Sequence, residues 1–473
     1  MVGLSVSTAQ TPRSRGTLPA TMTTPSDALT SYLAAHPDCA RFEVYVVDTN
    51  GIWRGKWLDA QSARKLYAGT LKLPLTTMAL DVWGNDIAEI VFENGDSDGL
   101  LAPVPQGLRA VPWAAVPTAQ VQAHMLHLDG TPYDGDPRNV LTRVQRRLTD
   151  RGLMPVVALE LEFYLVPRDR EPHTSPAPAP THIHGHRVPG PHTYGIEALA
   201  GFDAVLLDIE RACKAQGVPT HACIKEAAAA QFEINLDHRP DAHVAADDAV
   251  CLKRAIKETA LRHGLIATFM AKPFADLAGN GLHAHVSLVD GNGANVFDDR
   301  SERGSPTLQH AIGGLCATMS DAMAIFAPGI NSFRRFQPGR HAPTAPTWGY
   351  ENRTTAIRVP GGDPAAIRVE HRVAGADANP YLLLAAILAG IDSGLAERTT
   401  PPPPIEGNAY DAVAVSLPTS WPAAIERFER SELIARCLGR SFQRFYSATK
   451  RQELAAFAGH VTPFEWDTYV SLA

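Results

Sequence analysis

The chain lacks most of the features that would place it outside a reducing compartment. Its six cysteines, Cys39, Cys213, Cys223, Cys251, Cys316 and Cys437, are scattered and form no Cys-x-x-Cys pair. That argues against a disulfide framework or a thiolate zinc site and predicts a cytoplasmic protein. No apolar run reaches the ~18 residues that span a bilayer. The longest candidate, Leu382 to Leu395, is interrupted by Asp392 and Gly394 and is expected as a buried helix, so no membrane partner is expected. Positive charge is not in excess: 43 Lys and Arg face 50 Asp and Glu, a net charge of −7, so no nucleic-acid partner is expected. Residues 1–26, rich in Ser, Thr, Pro and Ala, lack the apolar core of a secretion signal and are expected to be disordered. Neither a Walker loop nor a Gly-x-Gly-x-x-Gly fingerprint is present, so any nucleotide must bind in another way.

What is present is ordinary globular composition, 45% hydrophobic and 20% charged, over 473 residues, which is room for roughly two or three domains. Residues 27–133 read as a small α+β unit. A helix over Ala28–Ala35 precedes Phe42–Asp48, and Thr49-Asn50-Gly51 turns the chain into Ile52–Trp57, a hairpin signal. Asp136-Pro137 opens a helical pattern through Asp150, and strands and helices alternate thereafter. Residues 171–192 are a Pro- and His-rich insertion with His173, His182, His184, His186 and His192, expected as an exposed loop without a catalytic role. After the Pro-rich break at Thr399–Pro404 comes a mostly helical tail, Trp421 to Phe457.

Four stretches carry charged or polar groups at every second residue: Glu160-Leu-Glu162, Glu233-Ile-Asn235, His283-Ala-His285-Val-Ser287 and Arg368-Val-Glu370-His-Arg372. In a strand these side chains share one face. Glu160 and Glu162 lie among Val157, Leu159, Leu161 and Phe163, so the strand has core character, and burying two carboxylates costs several kcal/mol unless cations compensate. A carboxylate pair neutralised by arginines is one solution. A divalent metal is the simpler one, and oxygen ligands with one imidazole favour Mg²⁺ or Mn²⁺ over zinc. Glu226 and Glu233 meet at one ion only if the chain doubles back between them, yet the four alanines Ala227–Ala230 usually suggest helix. Gly279 and Gly281 permit close backbone approach just before the two histidines. Arg334, Arg335, Arg353, Arg358, Arg368 and Arg372 supply guanidinium forks suited to phosphate and carboxylate oxygens. Metals and arginines facing one cavity fit phosphoryl transfer from a metal-bound nucleotide.

Taken in order, these segments resemble the glutamine synthetase family, from about residue 40 to the C-terminus. The landmarks are Glu160-Leu-Glu-Phe-Tyr164, Glu226 to Asn235, Lys272-Pro-Phe, Gly279 to Ser287, Asn331-Ser-Phe-Arg-Arg335, Glu351-Asn-Arg-Thr-Thr-Ala-Ile-Arg358 and Arg368 to Tyr381. The resemblance implies an α+β protein with a small N-terminal β-grasp domain, residues 27–133. A catalytic α/β barrel-like domain, 134–473, would follow, with active sites between subunits of a dodecamer of two stacked hexameric rings. It implies one metal held by Glu162, Glu226 and Glu233, and a second held by Glu160, His283 and Glu370, which bridges toward the phosphates of ATP. His285, Ser287, Arg358 and Arg368 would face the nucleotide. Gly279, Arg335 and Arg372 would bind L-glutamate, Arg353 would steady the transferring phosphoryl group, and Glu370 would also be catalytic.

The departures narrow the reading. Where glutamine synthetases carry an Asp-Gly-Ser-Ser loop that helps bind ammonium, this chain has Leu73-Pro-Leu-Thr-Thr-Met78, with no acid before Asp81. Where the flap carries an ammonium-binding glutamate, Pro338-Gly-Arg-His341-Ala-Pro343 places His341, whose imidazole suits deprotonation of an incoming amine. The asparagine usual before the glutamate-contacting glycine is Ala278. The chain is therefore most similar to the γ-glutamylpolyamine and γ-glutamyl-amine synthetase branch. The expected reaction is ATP-dependent ligation of L-glutamate to a small primary amine, with authentic glutamine synthesis from ammonia and a non-catalytic ring protein as alternatives. Tyr410 lies near the position of a modified tyrosine in some members, but its surroundings match poorly and no regulatory role is assigned to it.

Overall fold

The computed structural model describes residues 25–91, 95–169, 177–337, 339 and 342–473. The expected disordered extension lies outside these residues except for Pro25 and Ser26, which instead begin the first helix, Pro25–Ala35. His173 and His341 also lie outside them. The architecture is mixed α/β.

The N-terminal sheet comprises β1 (Arg41–Val47), β2 (Trp53–Leu58), β3 (Lys72–Pro74), β4 (Asp98–Ala110) and β5 (Thr118–Leu126), ordered β2-β1-β5-β4-β3. The hairpin β1–β2 forms where Asn-Gly spelled it. The Asp48 carboxylate accepts from the Asn50 and Ile52 amides, each at 2.9 Å, and Gly51 takes the left-handed φ of 74°. Strand β1 is buried on both faces. Phe42, Val44 and Val46 share a small core with Leu29, Ala63 and Leu66, whereas Tyr45 and Val47 join the larger core of the following residues.

The second sheet carries β6 (Met154–Pro167), β9 (Thr220–Lys225), β10 (Gln231–Leu236), β12 (Leu282–Val289), β13 (Trp348–Tyr350), β14 (Ile357–Val359) and β15 (Val369–His371). Its order is β13-β14-β15-β12-β6-β10-β9, and β11 (Leu265–Thr268) pairs with the far end of β6. Between β6 and β9 the insertion forms a two-stranded hairpin, β7 (His182–Ile183) and β8 (His186–Arg187), with His182, His184 and His186 exposed. Strand β6 alternates from Met154 to Phe163. Leu159, Leu161 and Phe163 are buried against the helices, which leaves Glu160 and Glu162 on the opposite face.

Behind the sheet, the expected buried helix spans Pro380–Glu397 and is the one helix among the described residues long and apolar enough to cross a bilayer. It is instead embedded in the core, with Asn379 capping its first turn. Its interrupting Asp392 is fully buried and accepts from Arg147 and Arg151 at 2.7 and 2.9 Å, which removes the cost of an unpaired charge. All six cysteines are free thiols.

Candidate active site

Register brings the charged stretches together. Across β12, β6 and β10, His283 lies opposite Glu160 and Glu160 opposite Asn235, while Glu162 lies opposite Glu233. On the other side of β12, His285 faces Glu370 of β15, and Glu370 faces Arg358 of β14. The polar residues of five adjacent strands thus line one sheet face, because each strand's apolar alternates are taken up by the core.

Glu160 is the hub. It accepts from His285 Nε2 at 2.9 Å, from Asn235 Nδ2 at 3.1 Å and pairs with His283 Nδ1 at 3.3 Å. Two groups of ligand atoms lie within 4.8 Å of one another: Glu160, Glu233 and His283, and Glu160, His285 and Glu370. Glu162 stands at their edge, 4.0 Å from His283 Nε2, with its second oxygen held by the Gly281 amide at 2.8 Å. A Cβ at Gly281 would come within 2.8 Å of His283 Nε2, so a larger residue there would displace the imidazole.

Glu226 lies outside both tight groups. It leads the tight turn between β9 and β10, so Ala227–Ala230 form no helix: the chain doubles back, and Ala230 adopts a left-handed φ of 47°. Antiparallel pairing of Lys225 with Phe232 overrides alanine's helix propensity.

The electrostatics are those of crowded carboxylates. Burial and the charges of Glu160, Glu162 and Glu226 push Glu233 up to about 9, and burial together with Glu162 pushes Glu226 up to about 7. Burial acts on Glu160 in the same sense but is outweighed by the hydrogen bonds from His283 and His285, which hold it far below the usual range. Glu370 is likewise buried, yet Arg372, with His283 and His285, draws it down. Like charge of this density calls for a cation. The donor set, hard carboxylate oxygens with imidazole, fits Mg²⁺ or Mn²⁺, and the buried Asn235 Oδ1 beside it lacks a hydrogen-bond partner among the described residues.

A guanidinium wall closes the far side. Arg358 spans Glu370 at 2.8 Å and Glu351 at 3.0 Å, Arg372 also bonds Glu370, and Arg368 donates to His285 Nδ1 at 3.1 Å. Arg368 thereby fixes His285 with Nδ1 as acceptor and Nε2 toward Glu160. The buried Nε atoms of Arg358 and Arg372 have no acceptor among the described residues, leaving donors for an anion. Arg335 is buried and donates to the Val373 carbonyl at 2.7 Å, whereas its neighbour Arg334 is exposed. Gly279 sits against Arg335, and a Cβ there would lie 2.6 Å from the Ala271 carbonyl. Ser287 is half-buried on the histidine face of β12, and Arg353 is exposed on the loop between β13 and β14.

One of these groups, Glu351, the second partner of Arg358, was missed in the sequence as a member of the site. Asn235 stands two residues after Glu233, so strand spacing pointed to it. His285, read as a nucleotide contact, is here also part of a cation-capable group.

Such a face, carboxylates and imidazoles opposed by guanidiniums, has the chemistry to hold divalent metal and phosphate. Residues 134–469 match the family model described as glutamine synthetase, catalytic domain, and the chain belongs to the glutamine synthetase family. It is 40% identical over 440 residues to gamma-glutamylputrescine synthetase of Escherichia coli (strain K12), covering 92% of each chain. It is 32% identical over 439 residues to glutamate–isopropylamine ligase of a Pseudomonas species, covering 90% of this chain and 94% of that one. A solved structure of a GmaS/ADP complex superposes with a TM-score of 0.80 at 29% identity, over 93% of this chain and 99% of that one. The chain is a carbon–nitrogen ligase.

Proposed function

We propose that the protein joins the γ-carboxylate of L-glutamate to a small primary amine, using ATP. A γ-carboxylate oxygen attacks the γ-phosphorus of ATP and ADP leaves, giving γ-glutamyl phosphate. The amine nitrogen then attacks the acyl carbon and phosphate departs. Glu162, Glu226 and Glu233 would hold one divalent Mg²⁺ or Mn²⁺ and Glu160, His283 and Glu370 a second, which would supply charge neutralisation at the phosphates. Arg358, Arg368, His285 and Ser287 orient the nucleotide. Gly279, Arg335 and Arg372 bind glutamate, Arg353 neutralises the phosphoryl group in transfer, and His341 takes the amine proton. The observation that carries ligation is the single face uniting Glu160, Glu233, His283 and Glu370 with Arg358 and Arg372.

Preference for amine over ammonium rests on missing carboxylates. The segment Leu73–Met78 offers none, and its Leu73 and Met78 are buried. The next acid, Asp81, is buried and fully engaged: its carboxylate accepts from the amides of Trp83 and Asn85, from Asn85 Nδ2 and from Gln452 Nε2. It cannot substitute as an ammonium ligand without dismantling that loop. Residues 27–133 serve as a β-grasp domain and 134–473 as the catalytic domain of a cytoplasmic dodecamer, whose mass light scattering measures. The deciding assay is phosphate release with glutamate and ATP, comparing ammonium with putrescine, spermidine, ethanolamine and simple monoamines. Turnover with ammonium alone favours authentic glutamine synthesis, and no turnover with any of them favours a non-catalytic ring.

A further inference from the structure

The turn that delivers Glu226 is anchored at its far end, where Ala230 is buried in the core and its carbonyl accepts from the Leu165 amide at 2.9 Å. Ala227–Ala230 carry no polar side chain, and Ala230 occupies the left-handed region, which costs an L-residue roughly 1–2 kcal/mol. Backbone bonds from Glu226 to the Gln231 carbonyl, 2.9 Å, and from Gln231 to the Ala228 carbonyl, 3.2 Å, close the turn at its base.

The leading half of the turn, Glu226 to Ala228, is held by the side chain of Lys225. Its side chain is completely buried, and Nζ donates to the carbonyl of Glu226 at 2.9 Å and to that of Ala228. The ammonium also lies 5.8 Å from the centre of the Phe232 ring, and the Lys225 carbonyl accepts from the Tyr194 amide at 2.9 Å. A wholly buried ammonium bound to two carbonyls of one turn is costly to build and specific in what it fixes.

We propose that Lys225 is a positioning residue for cation binding: its ammonium, bonded to the Glu226 and Ala228 carbonyls, sets the turn so that the Glu226 carboxylate meets Glu162 and Glu233. The inference rests on the reading of Glu226 as a metal ligand. Groups that orient a metal ligand from behind typically govern affinity by 10–100-fold. Lys225 touches no phosphate or substrate in this role, so its effect is confined to the cation shared by Glu162, Glu226 and Glu233.

The test is Mn²⁺ binding to the full-length protein without nucleotide, followed by calorimetry or electron paramagnetic resonance. Lys225→Met, with its fold checked by circular dichroism, should weaken one class of Mn²⁺ site by about 10–100-fold and leave the other unchanged. Wild-type affinity at both sites overturns the proposal, as does equal weakening of both. Should Lys225→Met fail to fold, Lys225→Gln keeps one donor and should weaken the same site by roughly 3–10-fold, with wild-type affinity again overturning it. A different result strikes the underlying reading instead: a wild-type protein that takes up no Mn²⁺, or a Glu226→Gln variant that binds Mn²⁺ as tightly as wild type, removes Glu226 from the metal site.

Discussion

Replacing Glu370 separates what its carboxylate does for the fold from what it does for chemistry. The side chain is 1% exposed and lies between Arg358 and Arg372, with His283 Nδ1 4.0 Å away. Glu370→Ala leaves Arg372, itself 5% exposed, with no side-chain acceptor among the described residues. Arg358 keeps its second partner, the exposed Glu351. Removing one partner of a buried ion pair costs about 3–5 kcal/mol. Because Arg358 is still paired, the lower end, about 3 kcal/mol, is expected. Glu370→Gln keeps one acceptor oxygen and should lose only about 1–2 kcal/mol. Both variants remove a charged ligand facing His283, so turnover should fall at least ~100-fold in each. Urea unfolding and phosphate release, measured side by side, give the two readouts. A Glu370→Gln protein with turnover within threefold of wild type refutes the assignment, whatever its stability.

Other outcomes follow from the same geometry. His371, on the core side of β15, is 1% exposed against the Phe326 ring, and burial together with the charge of His283 lowers it to about 3. Its folded pKa is below the unfolded value of ~6.5, so its contribution to stability is intact above pH ~6.5 and is lost as pH falls toward 3. By pH 5 the loss should be roughly 2 kcal/mol, and His371→Leu should flatten urea midpoints between pH 7 and pH 5; an unchanged slope contradicts this. Arg353→Ala should lower kcat by about 10²–10³-fold with the KM for ATP little changed, whereas a loss confined to KM argues for ground-state binding alone. Asp81→Asn should destabilise by about 1 kcal/mol or more and leave the ratio of ammonium to amine turnover within twofold; a selective loss of ammonium turnover would restore Asp81 as its ligand.

Much of the site was legible because strand spacing is strict. Once Leu159, Leu161 and Phe163 are assigned to the core, Glu160 and Glu162 have nowhere to point but the opposite face, and the same logic aligns His283 with His285 and Glu370 with Arg372. Register was not legible. That His283 meets Glu160, and that Arg368 fixes the His285 ring, depends on pairings between residues more than 80 positions apart. Helix propensity left Ala227–Ala230 ambiguous, because long-range pairing decides the local conformation there and a buried lysine braces it. The exposure of Arg334 beside the buried Arg335 was equally invisible, because a short 3₁₀ turn, Ser332–Arg335, sends adjacent side chains in different directions. The engagement of Asp81 was hidden for the same reason as the register, since its partner Gln452 lies 371 residues away.

The central claim is that two divalent cations sit on the carboxylate face of the second sheet. Anomalous scattering from crystals grown with Mn²⁺ and an ATP analogue measures this directly. Two peaks are expected, one bounded by Glu162, Glu226 and Glu233 and the other by Glu160, His283 and Glu370. Peaks confined to the exposed histidines of residues 182–192, or none on that face, would contradict it.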